Sequence, residues 1–525
     1  MVRRYSAVLL GMMLMASVTL VAAQTQPPSM PADRKAYTDA TKITDPDKKV
    51  DALEKFIADF PKNSSVMFAH QTIFDTLVKN HPEQKDKIIA NAEKAIEKAQ
   101  DFMRPSMYEQ MARKLLDAGV LLDEAEKLTN KGMAAIDEEM MKQAKSRKAA
   151  SYAMLGRIFL KQDKLKEAEQ NFQRAKDANP RLVAAATGLA ELYAKQGKEQ
   201  LALETYMSAA LNGKLSTAER KQFEALYSKT NNGSLAGLEE KLDAEYVKLN
   251  PSPVKVEHYK PTDKRSNRTV LAEVFTGAGC GPCVAADLGF DAMMERYKRE
   301  ELVVLMYHLH IPAPDPMTNL ATQARGKFYT VQGVPSYAMD GKSASGGGTR
   351  DMTQGFYDRV NPDVERQLQT AAGADLKLEA TLEGNTVKTK VALSNLTGDS
   401  DKLKLHVVLA EDKLRYTGEN GVRFHPMVVR SVAGPEYSGL PVAGKDNQTF
   451  DWSFDVAAVA AEAKKHLDDF EKSGARGDFT FSEKKDQIDP NNLTVIAFVQ
   501  DEKTKAVLQS VQVKVKRPVA SNSGN

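Results

Sequence analysis

The chain has 525 residues, of which 42% are apolar and 27% are charged. This length predicts several domains, and the apolar fraction is sufficient for ordinary hydrophobic cores. The 73 basic and 70 acidic residues leave a formal net charge of +3. That balance gives no strong positive field, so a nucleic-acid partner is not expected.

Residues 1–23 have the pattern of a secretory signal peptide. Arg3 and Arg4 precede an apolar run from Ala7 to Ala22, and the small residues that follow provide a cleavage site. The apolar run is shorter than the roughly 20 residues preferred for a membrane span. The sequence therefore predicts a soluble mature protein that is periplasmic or extracellular and has no membrane span.

Residues 33–250 are predicted to form an all-α solenoid of helix pairs. Two consecutive stretches, starting at Ala149 and Val183, share one pattern in a 34-residue register. Leucine, small and aromatic residues recur in this pattern at Tyr152, Leu155, Gly156, Phe159, Ala168, Phe172 and Ala175, with Pro180 at the end of the first stretch, and again at Leu189, Ala190, Tyr193, Ala202, Tyr206 and Ala209. The pattern resembles the tetratricopeptide repeat family. This resemblance implies a groove that binds a peptide or protein, and the alternatives are a passive spacer and a dimerisation arm.

A linker is predicted at residues 251–267. Pro251, Pro253 and Pro261 are spaced along this segment, and spaced prolines break helices and favour extended backbone. The helical region should therefore end near Asn250, and a second domain should begin after the linker.

The only two cysteines of the chain, Cys280 and Cys283, lie in the four-residue motif CGPC. Two intervening residues allow a small-loop disulfide, and a helix that starts at Cys280 would favour a thiolate there. Cys283, one turn further along, would then be the resolving thiol. The alternatives are an inert structural disulfide and a zinc site completed by His308 and His310.

The segments around the motif predict an alternation of strands and helices. Strands are expected at Leu271 to Thr276 and Leu302 to His308, and helices at Val284 to Lys298 and Thr318 to Tyr329. With the CGPC motif and the later Val-Pro pair, this order resembles the thioredoxin-like family over residues 268–372. The resemblance implies an α/β fold and thiol-disulfide exchange.

The resemblance also implies roles for two further residues. Pro335 matches the cis-proline that lies against the disulfide in this family. Glu273 is the candidate for the buried acid that accepts the proton of Cys283, and a solvent-facing Glu273 is the alternative. The family's tryptophan before the first cysteine is absent, because Gly279 stands there and Trp452 is the only tryptophan. The docking surface beside Cys280 is therefore expected to differ from that of the family.

Residues 373–517 are predicted to form an antiparallel β-sandwich of immunoglobulin-like character. Apolar and polar residues alternate in several short runs separated by turn signals. The predicted strands are Leu376 to Leu382, Thr386 to Leu393, Leu403 to Leu409, Thr449 to Val456, Leu493 to Val499 and Ala506 to Val515. Trp452 is expected in the core, and Arg430 to Lys445 is expected to be a long loop. Residues 518–525 are predicted to be a disordered tail.

Together these patterns predict an exported thiol-disulfide oxidoreductase with helical repeats for partner binding. Cys280 would attack a protein disulfide and Cys283 would resolve the mixed disulfide, with protein thiols and disulfides as partners and no cofactor or metal. The Gly-Pro centre resembles the reducing members of the family, which favours a reductase. The alternative is a protein-binding scaffold in which CGPC is a permanent structural disulfide.

Overall fold

The computed structural model describes residues 30–136, 144–397, 400–444, 447–477 and 479–517. The predicted signal peptide (residues 1–23) and the predicted tail (residues 518–525) lie outside the described residues. The chain divides into two compact units at Arg147/Lys148. This division falls inside the predicted solenoid and not at the predicted linker, residues 251–267.

The first unit is built from helices whose apolar faces are buried against one another. Leu53, Phe56, Ile73, Phe74 and Leu77 are among its fully buried side chains. Its helices are α1 (Ala32–Lys42), α2 (Pro46–Asp59), α3 (Val66–Asn80), α4 (Lys85–Lys98), α5 (Arg104–Ala118) and α6 (Leu122–Ala134). Across the described ranges, no helix combines the length and the apolar character that crossing a bilayer requires.

The helices that follow have the spacing of a TPR-like solenoid. Leu165 and Glu199 begin corresponding helices 34 residues apart, the period of the sequence pattern. These helices are α7 (Ala144–Lys161), α8 (Leu165–Ala178), α9 (Val183–Lys195), α10 (Glu199–Asn212), α11 (Thr217–Thr230) and α12 (Leu238–Leu249).

A buried aromatic side chain fills the space between these helices. The ring of Phe172 lies against Gly156 and Gly188, where an added Cβ atom would come within 2.6 Å and 2.2 Å of it. Glycine is therefore required on both helices for the ring of α8 to pack between them. Phe172 and Gly156 therefore have the packing roles that the repeat predicts.

The rest of the chain is β-rich and contains mixed and antiparallel sheets. Its strands are β1 (Val270–Thr276), β2 (Leu302–His308), β3 (Ser336–Met339), β4 (Lys342–Ser345), β5 (Asp375–Glu383), β6 (Thr386–Ser394), β7 (Leu403–Glu411), β8 (Leu414–Arg415), β9 (Phe424–His425), β10 (Val428–Val432), β11 (Leu440–Pro441), β12 (Gln448–Asp455), β13 (Leu493–Asp501) and β14 (Val507–Lys514). Its helices are α13 (Val284–Arg296), α14 (Leu320–Phe328), α15 (Thr353–Gln367) and α16 (Val456–Lys472).

One mixed sheet runs through both predicted β-containing domains. Within the described residues its strand order is β14-β13-β7-β10-β2-β1-β3-β4, and β11 pairs with β7. Strands β1 and β2 are parallel, while β3 and β4 continue the sheet in antiparallel fashion. Residues 268–372 and 373–517 therefore share a hydrogen-bonded sheet through the parallel contact of β10 with β2.

The two faces of this sheet bury different apolar clusters around β1. Val270, Ala272 and Val274 pack with residues of α13 and α15. Leu271 and Phe275 point to the opposite face, where they pack with residues of β10 and β13. This alternation follows from the two-residue period of a strand. It decides which side chains of β1 can reach the CGPC motif.

The C-terminal part contains a second, three-stranded antiparallel sheet in the order β12-β6-β5. An apolar cluster joins it to β7 and β13 of the large sheet, and Trp452 is partly buried against this cluster. The predicted loop from Arg430 to Lys445 is wrong at its start, because β10 is a buried strand between β7 and β2. Helix α16 was not predicted, although Asp455 caps it by accepting hydrogen bonds from two backbone N–H groups.

Candidate functional site

The CGPC motif lies at the junction of β1 and α13. The sulfur atoms of Cys280 and Cys283 form a disulfide with an S–S distance of 2.06 Å. The backbone N–H of Cys283 donates to the carbonyl oxygen of Cys280 at 3.2 Å, in a single 3₁₀ turn that leads into α13. The positive end of the helix is thus directed at the motif, where it favours negative charge on Cys280 once the disulfide is reduced.

The proline predicted to lie beside the disulfide does so. The Val334–Pro335 peptide bond is cis, and the carbonyl oxygen of Val334 lies 3.8 Å from Sγ of Cys280. Both cysteines are buried, with 1% of Cys280 and 0% of Cys283 exposed. Gly281 and Pro282, the residues between them, are exposed. The motif therefore presents its central dipeptide to solvent while both sulfurs are covered.

A glycine-rich segment forms part of this cover. The N–H of Gly348 donates to the carbonyl oxygen of Pro282 at 2.7 Å, and the N–H of Ala285 donates to the carbonyl oxygen of Gly348 at 3.0 Å. A Cβ atom on Gly347 would come within 2.2 Å of the Pro282 oxygen and 2.5 Å of Cγ of Pro335. Only glycine fits this contact, which was not predicted from the sequence.

The hairpin of β8 and β9 forms another part of the cover. The backbone N–H of Asn420 donates to the carbonyl oxygen of Ala278 at 3.1 Å, and its side-chain amide donates to that of Cys280 at 3.3 Å. Arg423 connects the same hairpin to α12, since its guanidinium lies 2.7 Å from Asp243 and 2.6 Å from Glu239. One hairpin thus contacts both the CGPC turn and the last helix of the solenoid.

Glu273 does not lie beside the disulfide. Its carboxylate points to the face of the sheet opposite α13, where the guanidinium of Arg325 binds both oxygens at 2.6 and 2.8 Å. The hydroxyl of Tyr329 donates to it at 2.7 Å. Burial raises the pKa of Glu273, but Arg325 and the hydrogen bonds outweigh burial and hold it below its usual range. The structure therefore corrects the prediction that Glu273 accepts the proton of Cys283.

The acid nearest along the helix to Cys283 is Asp287, one turn further into α13. It is 5% exposed, and the hydroxyl of Thr276 donates to its Oδ2 at 3.0 Å. Burial raises its pKa to about 7, against the lowering effects of the Thr276 hydrogen bond and His308. Asp291, another turn along, has its pKa raised to about 8 by burial and by the charge of Asp287. Sequence reasoning missed both, although acids four residues apart in an apolar helix were a visible signal.

The two histidines named as candidate zinc ligands, His308 and His310, have different surroundings. His308 is fully buried, and its Nδ1 lies 2.9 Å from Oδ2 of Asp315. That same oxygen accepts the N–H of Ala278 at 2.6 Å, so this pair fixes the turn before Cys280. His310 stacks on Phe470 at 3.9 Å between ring centres, and burial lowers its pKa to about 4.

Comparisons with known proteins give limited likenesses. No family model matches the chain, and no curated protein matches it. Solved structures with partial likeness include a MamA RS-1 ArsTM double mutant, at 14% identity and a TM-score of 0.26 over 36% of this chain and 94% of that chain. Pseudomonas aeruginosa PilF gives 15% identity and a TM-score of 0.27 over 42% of this chain and 92% of that chain. The TPR2AB domain of yeast Sti1 in complex with pHSP90 gives 13% identity and a TM-score of 0.16 over 41% of this chain and 96% of that chain.

Proposed function

We propose that this chain is an exported thiol-disulfide oxidoreductase of the thioredoxin-like kind. The observation that carries the proposal is the Cys280–Cys283 disulfide at the start of α13, with the carbonyl before cis-Pro335 3.8 Å from Cys280. The strand order β4-β3-β1-β2, in which β1 and β2 are parallel, supports the thioredoxin-like assignment of residues 268–372. Export rests on the sequence of residues 1–23, and the immunoglobulin-like character of residues 373–517 stays a prediction.

The exchange passes electrons between sulfur atoms and uses no metal or organic cofactor. In the reduced protein, the Cys280 thiolate attacks a partner disulfide, forms a mixed disulfide and releases one partner thiolate. Cys283 then loses its proton and attacks Sγ of Cys280. This step restores the intramolecular disulfide and releases the second partner thiolate. Each partner thiolate takes up one proton, which balances the two protons lost by Cys280 and Cys283. The partner gains two electrons and two protons, and the reverse sequence oxidises a partner dithiol.

A partner must displace part of the cover to reach Cys280. The sulfur lies beneath the Val334 carbonyl, and the segments that contain Gly347 and Asn420 hold the adjoining backbone. The hairpin that carries Asn420 also binds α12. We infer that the TPR-like helices bind the protein that delivers the disulfide, so that binding and exchange take place on adjacent surfaces.

A redox titration of the mature protein in glutathione buffers, with Cys283→Ser run in parallel, tests this function. We expect a reduction potential between about −120 and −270 mV and mixed disulfides trapped on Cys280. Cys280→Ser/Cys283→Ser is the control, which should trap nothing. A potential near about −270 mV indicates a reductant of partner disulfides, and one near about −120 mV indicates an oxidant of partner dithiols.

The competing function is a protein-binding scaffold with a structural disulfide. The burial of both cysteines favours it, because a covered disulfide exchanges slowly with external thiols. A potential well below about −300 mV, with no species trapped by Cys283→Ser, would establish this alternative. The solenoid would then be the functional part of the chain.

A further inference from the structure

Helix α13 carries a stripe of acids that begins at the disulfide. Cys283, Asp287, Asp291 and Glu295 follow one another at four-residue intervals. Cys283 already has helical backbone angles, with φ −74° and ψ −23°. Residues four apart in a helix are neighbours on one face, with Cβ atoms about 6 Å apart. The stripe therefore leads from the buried sulfur of Cys283 to Glu295, which is exposed.

The two middle acids of the stripe lack the partners that buried carboxylates normally have. Among the described residues, Oδ1 of Asp287 and Oδ1 of Asp291 are buried without a hydrogen-bond partner. Oδ2 of Asp287 accepts only the Thr276 hydroxyl in the described structure. An unsatisfied buried polar group costs about 1–3 kcal/mol, so these two oxygens are positions at which a water molecule or a transferred proton is favoured.

A cavity connects the far end of the stripe with the surface. Its volume is about 340 Å³, and Asp291, Glu295, Arg299, Asp412 and Lys413 contribute its charged lining. Arg299 and Asp412 form an ion pair at 3.1 Å. This cavity has room for the water that would exchange a proton with Asp291.

We propose that Asp287 accepts the proton of the Cys283 thiol and that Asp291 passes it to the cavity. This inference rests on the proposed oxidoreductase function. As the proton leaves, the Cys283 sulfur attacks Sγ of Cys280, the mixed disulfide breaks, and the partner leaves as a thiolate. The proton moves from the Asp287 carboxyl to Asp291 and then to cavity water, and the reverse path protonates Cys283 when the disulfide is reduced.

The environment of both acids suits proton transfer near neutral pH. Burial raises the pKa of Asp287 to about 7 and that of Asp291 to about 8, so both exchange protons in the range where a general base is most effective. Thr276, His308 and Asp315 are the polar and charged groups that act on Asp287. Glu295, Arg299, Asp412 and Lys413 line the cavity at Asp291.

Stopped-flow mixing of the reduced protein with excess 5,5′-dithiobis(2-nitrobenzoate) separates the two sulfur steps. Attack by Cys280 releases the first thionitrobenzoate, and attack by Cys283 releases the second. For Asp287→Asn we expect the second phase to slow by about 100-fold, with the first phase within twofold of the wild type. Asp291→Asn should slow the second phase by about tenfold. Asp358→Asn, which removes an exposed acid from α15, is the matched control and should change neither phase.

Thr276→Val provides a second, milder test. It keeps the carboxylate of Asp287 but removes its hydroxyl donor, so the pH midpoint of the second phase should move upward. An unchanged midpoint, or an unchanged second phase in Asp287→Asn, would overturn the relay while leaving the oxidoreductase function intact. Absence of the first phase in the wild-type protein would overturn the oxidoreductase function and the relay with it. A merely structural role for Asp287 predicts equal slowing of both phases at every pH, and that result would also reject the relay.

Discussion

Two buried carboxyl groups, one on β1 and one packed against it, have pKa values shifted in opposite directions. Glu273, on one face of the strand, is bound by Arg325 and Tyr329, and its pKa is lowered. Asp287 lies against Thr276 on the other face, has one hydroxyl donor, and has its pKa raised to about 7. Burial acts on both in the same direction, so the difference comes from the partners. A paired acid of this kind stabilises the sheet, whereas a poorly paired one is available for proton transfer.

The largest effect on the free energy of unfolding should come from removing the charge of Glu273, the paired acid. Glu273→Gln leaves the Arg325 guanidinium buried without its counter-charge, which costs about 3–5 kcal/mol of unfolding free energy. Urea denaturation measures this loss. The thiol-exchange rates of the folded fraction should stay within twofold, because the side chain points away from α13. A large fall in Cys280 or Cys283 reactivity at unchanged stability would instead return Glu273 to the redox site.

A smaller, pH-dependent effect on the free energy of unfolding is expected when Asp287 is substituted. The folded-state pKa of about 7 lies above the unfolded value of 3.8, so the folded protein binds more protons between these pH values. The unfolding free energy contributed by this group should therefore fall as pH rises from about 4 to 7, by up to ~4 kcal/mol. Asp287→Asn should remove this slope in urea denaturation of the oxidised protein. Parallel pH profiles for variant and wild type would contradict the assignment.

The smallest effect is expected at the cover of the disulfide. Gly347→Ala places a Cβ atom against the Pro282 carbonyl and the Pro335 ring, which should cost about 1–3 kcal/mol and expose Cys280. Iodoacetamide labelling of the reduced protein should accelerate. The matched control is Gly355→Ala on α15, where no atom lies within 4 Å of the added Cβ, and the labelling rate should stay at that of the wild type. Equal labelling rates in the two variants would show that the glycine segment does not limit access.

Local patterns predicted the elements around the motif closely. The strand predicted from Leu302 to His308 has these bounds in the structure, and the helix predicted from Val284 ends at Arg296 instead of Lys298. These segments are short, strongly apolar and bounded by turns, so their identity depends on neighbours in sequence. The 34-residue register was equally readable because each repeat packs mainly on the next.

Long-range contacts were not readable from local patterns. The turn signals around Arg430 outweigh a strand of only five residues, so the sequence predicts a loop there. Pairing with β7 and β2 nevertheless makes β10 a central strand. Glu273 was assigned to the disulfide by analogy with a family position. The face to which a strand residue points depends on register, and a one-residue offset reverses it. The sequence signal that identifies Asp287 is the four-residue spacing of the acids along α13.

The shared sheet has a consequence for how the chain is built. Strand β2 acquires its outer neighbour β10 only after more than 100 further residues, and the Arg268 side chain donates to the carbonyl oxygen of Val507, 239 residues later. Contacts between residues so distant in sequence form slowly during folding. The Asn420 hairpin that covers Cys280 lies 140 residues after it in the chain, so the cover closes only when this distant segment has joined the fold. The order in which distant segments pair during folding thus determines when the two sulfurs become enclosed.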